Sequence, residues 1–316
     1  MSREVLVGFD LGGTKLAVVV ADPDGTPLST DMLPTDGGRG AEQAVARAIT
    51  AARELVAGYS ATVTAVGVST MGITHEHGVE LAPNVPGWNL LALPSLVRAA
   101  FAPAPVRLDN DVKAAALAEQ MWGELRDVES GVYLNLGTGV AAALVVQGHI
   151  VPGAHGAAGE IGYWSRRRTE TAGARSGNAP LEEYVGGAGA RQRAREQLGL
   201  DGGVADLVSS DDPATDAFLT DLYDEIALHV SNLVIALDPE RLVVGGGYVR
   251  TSDRVLAVLR QRLGAVAPFP PQVRLARFGA DAGTAGAMAL AVQARSSPPL
   301  SESLPNRNEK SSQPRP

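Results

Sequence analysis

The sequence predicts an α/β protein made of two related lobes, and two observations carry that expectation. Short apolar, β-prone runs alternate with segments of helical periodicity along most of the chain. A strand, a Gly-rich turn and a second strand also occur twice, about 125 residues apart. The first copy is VLVGF, DLGGTK and LAVVV from residue 5; the second is VYLNL, GTG and VAAALVV from residue 132. Such repetition suggests two α/β units facing a cleft that closes on a ligand by hinge motion.

Residues 4–35 read as strand, hairpin and strand, followed by a Gly/Asp/Pro-rich turn. Residues 40–59 space apolar side chains as an amphipathic helix, and VTAVGVST (63–70) reads as a buried strand. LPSLVRAAF (93–101) is helical, PVRLDND (105–111) is a strand ending in an acidic pair, and 113–123 is a strong helix former. The second half opens near residue 130 with the second hairpin. Helices follow at 181–197 and 213–237, a strand runs into three glycines at 241–249, and helices cover 253–266 and 282–295. Lobes are expected at 1–112 and 113–282, with the helix near 283–295 returning to the first. Residues 296–316, dominated by Pro and Ser, hold too little apolar surface to fold and read as a disordered tail.

Composition narrows the function. With 316 residues, 45% of them hydrophobic, the chain can bury a full core. A net charge of −8 argues against a nucleic-acid footprint. The absence of cysteine removes disulfides and thiolate metal sites. No apolar stretch is long enough to span a membrane. The N-terminus runs directly into a strand, leaving no room for a signal peptide. A cytoplasmic enzyme is the expectation.

The two Gly-rich turns can bring backbone N–H groups close to phosphate, with Thr14 or Thr138 adding a hydroxyl. DLGGTK alone is a weak signal, since ligand-free Gly-Gly hairpins are commoner. It is also not a Walker loop, because it leads into a strand rather than a helix. Paired with LGTG it points to phosphoryl transfer from a nucleotide. Asp10 either holds Mg²⁺ through water or caps its turn. Asn110-Asp111 stands at a strand–helix junction, where an N-cap explains one residue of the pair but not both. A kinase needs one carboxylate to take the acceptor hydroxyl's proton, and Asp111 is the candidate, with Asn110 orienting a neighbouring hydroxyl. Glu160, among the small residues of GAHGAAGEIGYW (153–164), suits recognition of sugar hydroxyls. Glu182 either joins it or merely starts a surface helix. Gly246 and Gly247 in VVGGGY form either a nucleoside-facing strand end or a plain turn. The five histidines show no metal spacing.

FDLGGTK, APNVPGW (82–88), LDNDVKAAALAE (108–119), LNLGTG and HGAAGEIG (155–162), in this order, resemble the ROK sugar kinases of the actin-like ATPase/hexokinase superfold. The resemblance runs from about Val5 to Ala294. It implies two actin-like (ribonuclease H-like) lobes around a central cleft, each a mixed sheet flanked by helices. It implies Asp111 as base toward a sugar 6-hydroxyl, and Asn84, Asn110, Glu160, Tyr163 and Glu182 as sugar-facing residues. It further implies Gly12, Gly13, Thr14, Lys15, Gly137, Thr138 and Gly139 on ATP phosphates, and the late glycines near the nucleoside. ATP and Mg²⁺ are the implied cofactors and a homodimer the implied assembly.

Two departures stand out. Most of the family continue GEIG with His and then a C-x-C-G-x2-G-C stretch that binds zinc. Here Tyr163 replaces the His and residues 166–180 contain no Cys, so a thiolate zinc site is impossible. That segment must be ordered by packing or remain mobile. Secondly, the usual Asn two residues after the catalytic Asp is Lys113, which either favours ionised Asp111 or points to solvent. Repressor members carry an N-terminal helix-turn-helix for which nine residues before Asp10 leave no space. The reading is an ATP-dependent hexose kinase acting at O6, with glucose the first choice. N-acetylmannosamine, N-acetylglucosamine, fructose, mannose, allose, an amino-glucose and a polyphosphate donor stay open. The alternative is a sugar-binding regulatory protein that keeps the fold without catalysis; retention of Asp111 and both turns argues against it.

Overall fold

A computed structural model describes residues 2–82 and 85–296. Asn84 and the expected tail from residue 297 lie outside these described residues.

The first half contains β1 (Arg3–Leu11), β2 (Lys15–Ala21), β3 (Pro27–Pro34), α1 (Ala41–Gly58), β4 (Ala61–Thr70), a small hairpin of β5 (Ile73–His75) and β6 (Gly78–Glu80), α2 (Leu93–Phe101) and β7 (Val106–Asn110). Its five-stranded sheet has the order β3-β2-β1-β4-β7. The β1–β2–β3 meander is antiparallel, while β4 and β7 are added in parallel. Helix α3 (Asp111–Trp122) leads to β8 (Ser130–Leu136), β9 (Val140–Val146) and β10 (His149–Ile150). Then come α4 (Pro180–Val185), α5 (Gly187–Leu198), α6 (Val204–Val208) and α7 (Pro213–Leu237). The chain ends with β11 (Arg241–Gly245), α8 (Gly247–Thr251), α9 (Arg254–Val266), β12 (Gln272–Leu275) and α10 (Ala282–Ser296). The second sheet, β10-β9-β8-β11-β12, repeats the same sequence of directions. The duplicated Gly turn is thus the visible part of a duplicated sheet.

Strand β1 explains how one sheet holds helices on both faces. Its side chains alternate, so Val7, Phe9 and Leu11 pack with Ala44, Val45 and Ala48 of α1, while Leu6 packs with Met288 and Ala291 of α10. The small residues of α10 let it lie almost on the backbone of the sheet. A Cβ on Gly67 of β4 would stand 2.0 Å from the Ala287 carbonyl oxygen, and one on Gly286 would stand 2.7 Å from the Ala114 carbonyl carbon in α3. Helices α3 and α10 therefore pack in close contact, and α3 also packs against β8 and β9 of the second sheet. No helix among the described residues is long and apolar enough to cross a membrane.

Three of the departures from the sequence expectation have a clear local reason. Helix α3 begins at Asp111 because the Asn110 side chain caps it, accepting from the Lys113 N–H at 2.8 Å. The helix expected at 181–197 breaks at Gly186, where a Cβ would meet Glu182 O and Thr138 O. That break lets α5 start against the second Gly turn. Ser296, assigned to the tail by composition, closes α10 with its hydroxyl on Val292 O.

Gly67→Ala is expected to push α10 off β4 and to destabilise the protein by about 3 kcal/mol, the upper end for overpacking. Denaturant unfolding measures it; a loss below about 1 kcal/mol would contradict this packing.

Candidate active site

Strands β1, β4 and β7 run parallel and end together. Asp10 stands beside Ser69, Ser69 beside Asp109, and Thr70 beside Asn110. The carboxyl ends of parallel strands are where open α/β sheets bind ligands. Fully buried Ser69 donates to Asp10 Oδ1 at 3.3 Å. Gly283 in the first turn of α10 lies against the same carboxylate, where a Cβ would be 2.1 Å from Oδ2.

At the end of β7 the two residues of the acidic pair divide their roles. Buried Asn110 is the N-cap, and its Nδ2 donates to Glu160 Oε1 at 2.9 Å. Asp111 is the first helical residue, and its carboxylate accepts the Val112 N–H at 2.9 Å. Asp111 is an exposed residue, yet protein surrounds its carboxyl closely. Desolvation there, reinforced by the charges of Asp10 and Glu160, lifts Asp111 to about 7. Desolvation lifts Asp10 to about 6, opposed by the Ser69 hydrogen bond. Glu160 is also raised by burial, partly offset by Lys113 and Asn110.

Lys113 follows neither course expected from the sequence. It is 2% exposed, and its Nζ donates to Gly156 O at 2.5 Å. Two helical positions from N1 to N3 turn the two side chains about 200° apart, and its charge acts on Asp109 and Glu160 while the influences on Asp111 come from elsewhere. Lys113 thereby ties the start of α3 to the loop that presents Glu160.

Both Gly turns are held from behind by their carbonyls. In the first, the Thr35 hydroxyl donates to Gly12 O at 2.7 Å and the Thr35 N–H to Thr14 O at 2.9 Å. In the second, Gly187 N and Ala188 N at the start of α5 donate to Gly137 O and Thr138 O at 2.9 and 3.1 Å. The N–H groups of Gly13, Thr14, Thr138 and Gly139 have no acceptor among the described residues. This arrangement is a pair of concave donors suited to an anion. Thr14, Lys15 and Thr138 are exposed at the tips.

Glu182 is half-buried rather than a solvated helix start. Its Oε2 accepts the Val140 N–H at 2.9 Å and fills the space a Gly139 side chain would need. Tyr163, raised by burial and then by the charges of Glu160 and Glu182, stands within reach of both. Gly246, at φ 94°, lies on the backbone of Leu136, so the third glycine run abuts the second turn, and the Cβ direction of Gly247 is open. The structure therefore gathers Asp10, Asn110, Asp111, Glu160, Tyr163 and Glu182 into one chain of neighbours between the two turns. Thr35 and Ser69 escaped the sequence reading. Ser69 carried a usable signal, a hydroxyl closing an otherwise apolar strand, whereas Thr35 carried none.

Asp10 offers a desolvated carboxylate oxygen, the hard donor type Mg²⁺ takes. No cysteine is present and a tyrosine stands beside the GEIG loop, so the residues do not fit a thiolate zinc site.

Thr35→Val removes the hydroxyl behind Gly12 while keeping the shape. The unsatisfied carbonyl is expected to cost about 1–2 kcal/mol in unfolding and to raise the nucleotide KM several-fold, leaving the acceptor KM within about twofold.

The sequence profile of the ROK family matches residues 6–294. A glucokinase of Halalkalibacterium halodurans is 28% identical over 314 residues, covering 90% of this chain and 94% of the relative. The crystal structure of a ROK hexokinase from Thermus thermophilus superimposes with a TM-score of 0.78 at 28% identity, over 92% of this chain and 98% of that one. That of a ROK family glucokinase from Streptomyces griseus, in complex with glucose and AMPPNP, gives 0.73 at 26% identity, over 92% and 99%. With its paired mixed sheets, Gly turns and Asn-Asp junction, this chain belongs to the ROK family and has its actin-like α/β fold.

Proposed function

We propose that this chain, a ROK-family sugar kinase, transfers the γ-phosphoryl group of ATP to O6 of glucose or a closely related hexose. The observation that carries the reading is Asp111, an exposed residue at the strand–helix junction whose carboxyl lies near Asp10 and Glu160 and is lifted to about 7. The complex of the Streptomyces griseus relative with glucose and AMPPNP supports both substrates.

In this mechanism Asn110, Glu160, Tyr163 and Glu182 hold the sugar, with Asn84 completing the set. Asp111 accepts the proton of the 6-hydroxyl as its oxygen bonds to phosphorus, and the bond from phosphorus to the β,γ-bridging oxygen breaks to release ADP. The free N–H groups of the two turns, with Thr14, Lys15 and Thr138, receive the phosphates. Gly246 and Gly247 face the nucleoside. Asp10 would hold Mg²⁺, largely through its water, and the ion would supply neutralisation of phosphate charge. Lobes at 1–112 and 113–282 would close over the substrates. The reading also takes the reaction to be cytoplasmic and, as the family resemblance implies, the enzyme to be a homodimer.

ADP release with Mg·ATP or polyphosphate against a panel of hexoses and amino sugars tests this reading. Asp111 must be ionised to accept a proton, so kcat/KM should rise with pH through about 7 and level off above it. Asp111→Asn should lower kcat by roughly 10²–10⁴ and remove that dependence. Saturable sugar binding without turnover by any donor would favour the regulatory alternative.

A further inference from the structure

Tyr163 and Glu182, both assigned to the sugar, stand at the two ends of a segment with little regular structure. Between them lie a 3₁₀ turn at Ala174–Ser176 and the first residues of α4. Both ends are nevertheless anchored at one place, through Arg166 and Tyr184.

Arg166 follows Tyr163 by three positions and its side chain is 9% exposed. Its Nε donates to Glu225 Oε1 on α7 at 2.6 Å, and its backbone N–H to Glu170 Oε2 at 2.6 Å. Its Cζ lies 3.1 Å from the centroid of the Tyr184 ring, and the Cζ of Arg193 on α5 lies 3.5 Å from the same centroid. Two guanidinium groups that close to one point must take opposite faces, so the ring is sandwiched. The outer layer is fixed in turn. Arg193 pairs with Asp221 Oδ2 at 2.7 Å, the Tyr184 hydroxyl donates to that oxygen at 2.8 Å, and Arg193 Nη1 donates to Tyr184 O at 3.1 Å. Beside Arg166, Trp164 packs on His229, whose Nε2 is 3.5 Å from Glu225 Oε1. The charges facing Arg166 are thus Glu170, Glu225 and, across the ring, Arg193 with its partner Asp221. Tyr184 follows Glu182 by two positions, so a single stacked contact sets the separation of the segment's two ends.

We propose that Arg166, clamped between Tyr184 and Glu225, is a positioning residue that holds Tyr163 and Glu182 against Glu160 and so sets the affinity for the acceptor sugar. This rests on the kinase reading above. The role calls for arginine, because a planar guanidinium stacks on a ring while pairing with carboxylates at its edge, which an ammonium cannot do.

The test uses the full chain carrying Arg166→Met, Arg166→Lys or Tyr184→Leu, the last serving if the first fails to fold. Amide hydrogen exchange over residues 163–183 should quicken by about tenfold or more in each, with residues 5–20 unchanged. The sugar KM should rise about tenfold, with kcat within about threefold and the ATP KM within about twofold, and lysine should not rescue. Unchanged exchange in 163–183 would overturn the clamp. Faster exchange with an unaltered sugar KM, or an equal rise in the ATP KM, would overturn the positioning role. If the unaltered protein turns over no sugar, the kinase reading fails. Exchange in 163–183 then still decides whether Arg166 orders the segment.

Discussion

The Asn110 side chain makes the contact on which the rest of the site depends. Its Oδ1 caps α3 and its Nδ2 holds Glu160. The cap is worth about 1 kcal/mol, and a hydrogen bond to a charged group about 1.5–3 kcal/mol. Together these fix the amide in one orientation. Because the cap defines where α3 starts, it also places Asp111 at the first helical position, projecting from the strand end rather than capping it. The same amide joins the end of β7 to the loop that follows β10, so the two halves of the chain share one polar centre.

That centre is electrostatically costly. Asp10, Asp111 and Glu160 are each pushed toward their neutral forms by burial, and the latter two also by neighbouring carboxylates. Lys113 offsets part of this for Glu160 and Asp109, but geometry keeps its charge away from Asp111. The result is a graded set: one carboxylate supported by a buried cation, and another left poised near neutrality. A carboxyl raised to near the operating pH is what general-base chemistry at pH 7 uses. The surrounding fold tolerates the cost because α3 and α10 pack almost backbone to backbone under the site.

The phosphate side follows a different principle. Thr35 and the start of α5 occupy the carbonyls of the two turns, leaving N–H groups facing outward. The donors are therefore oriented before any ligand arrives, which spares the ligand the cost of ordering them.

Composition and periodicity determined the α/β class, the two hairpins and most of the longer helices, because burial of apolar faces dictates those patterns locally. VLVGF and LAVVV can only be buried strands, and the glycines between them only a tight turn. Motif order brought Asp10, Asn110, Asp111 and Glu160 into one hypothesis. Sequence could not decide which residue of Asn110-Asp111 caps α3, where Lys113 points, or that Glu182 supports the second turn. It was equally silent on Thr35, and on how the cysteine-free segment is held through Arg166, Tyr184 and Glu225. Thr35, Glu182, Lys113 and Arg166 each depend on a partner 23 to 59 positions away, and the orientation of the Asn110 amide on one 50 away. Local propensity carries no information about such contacts, and only the packing of the two sheets around α3 and α10 decides them.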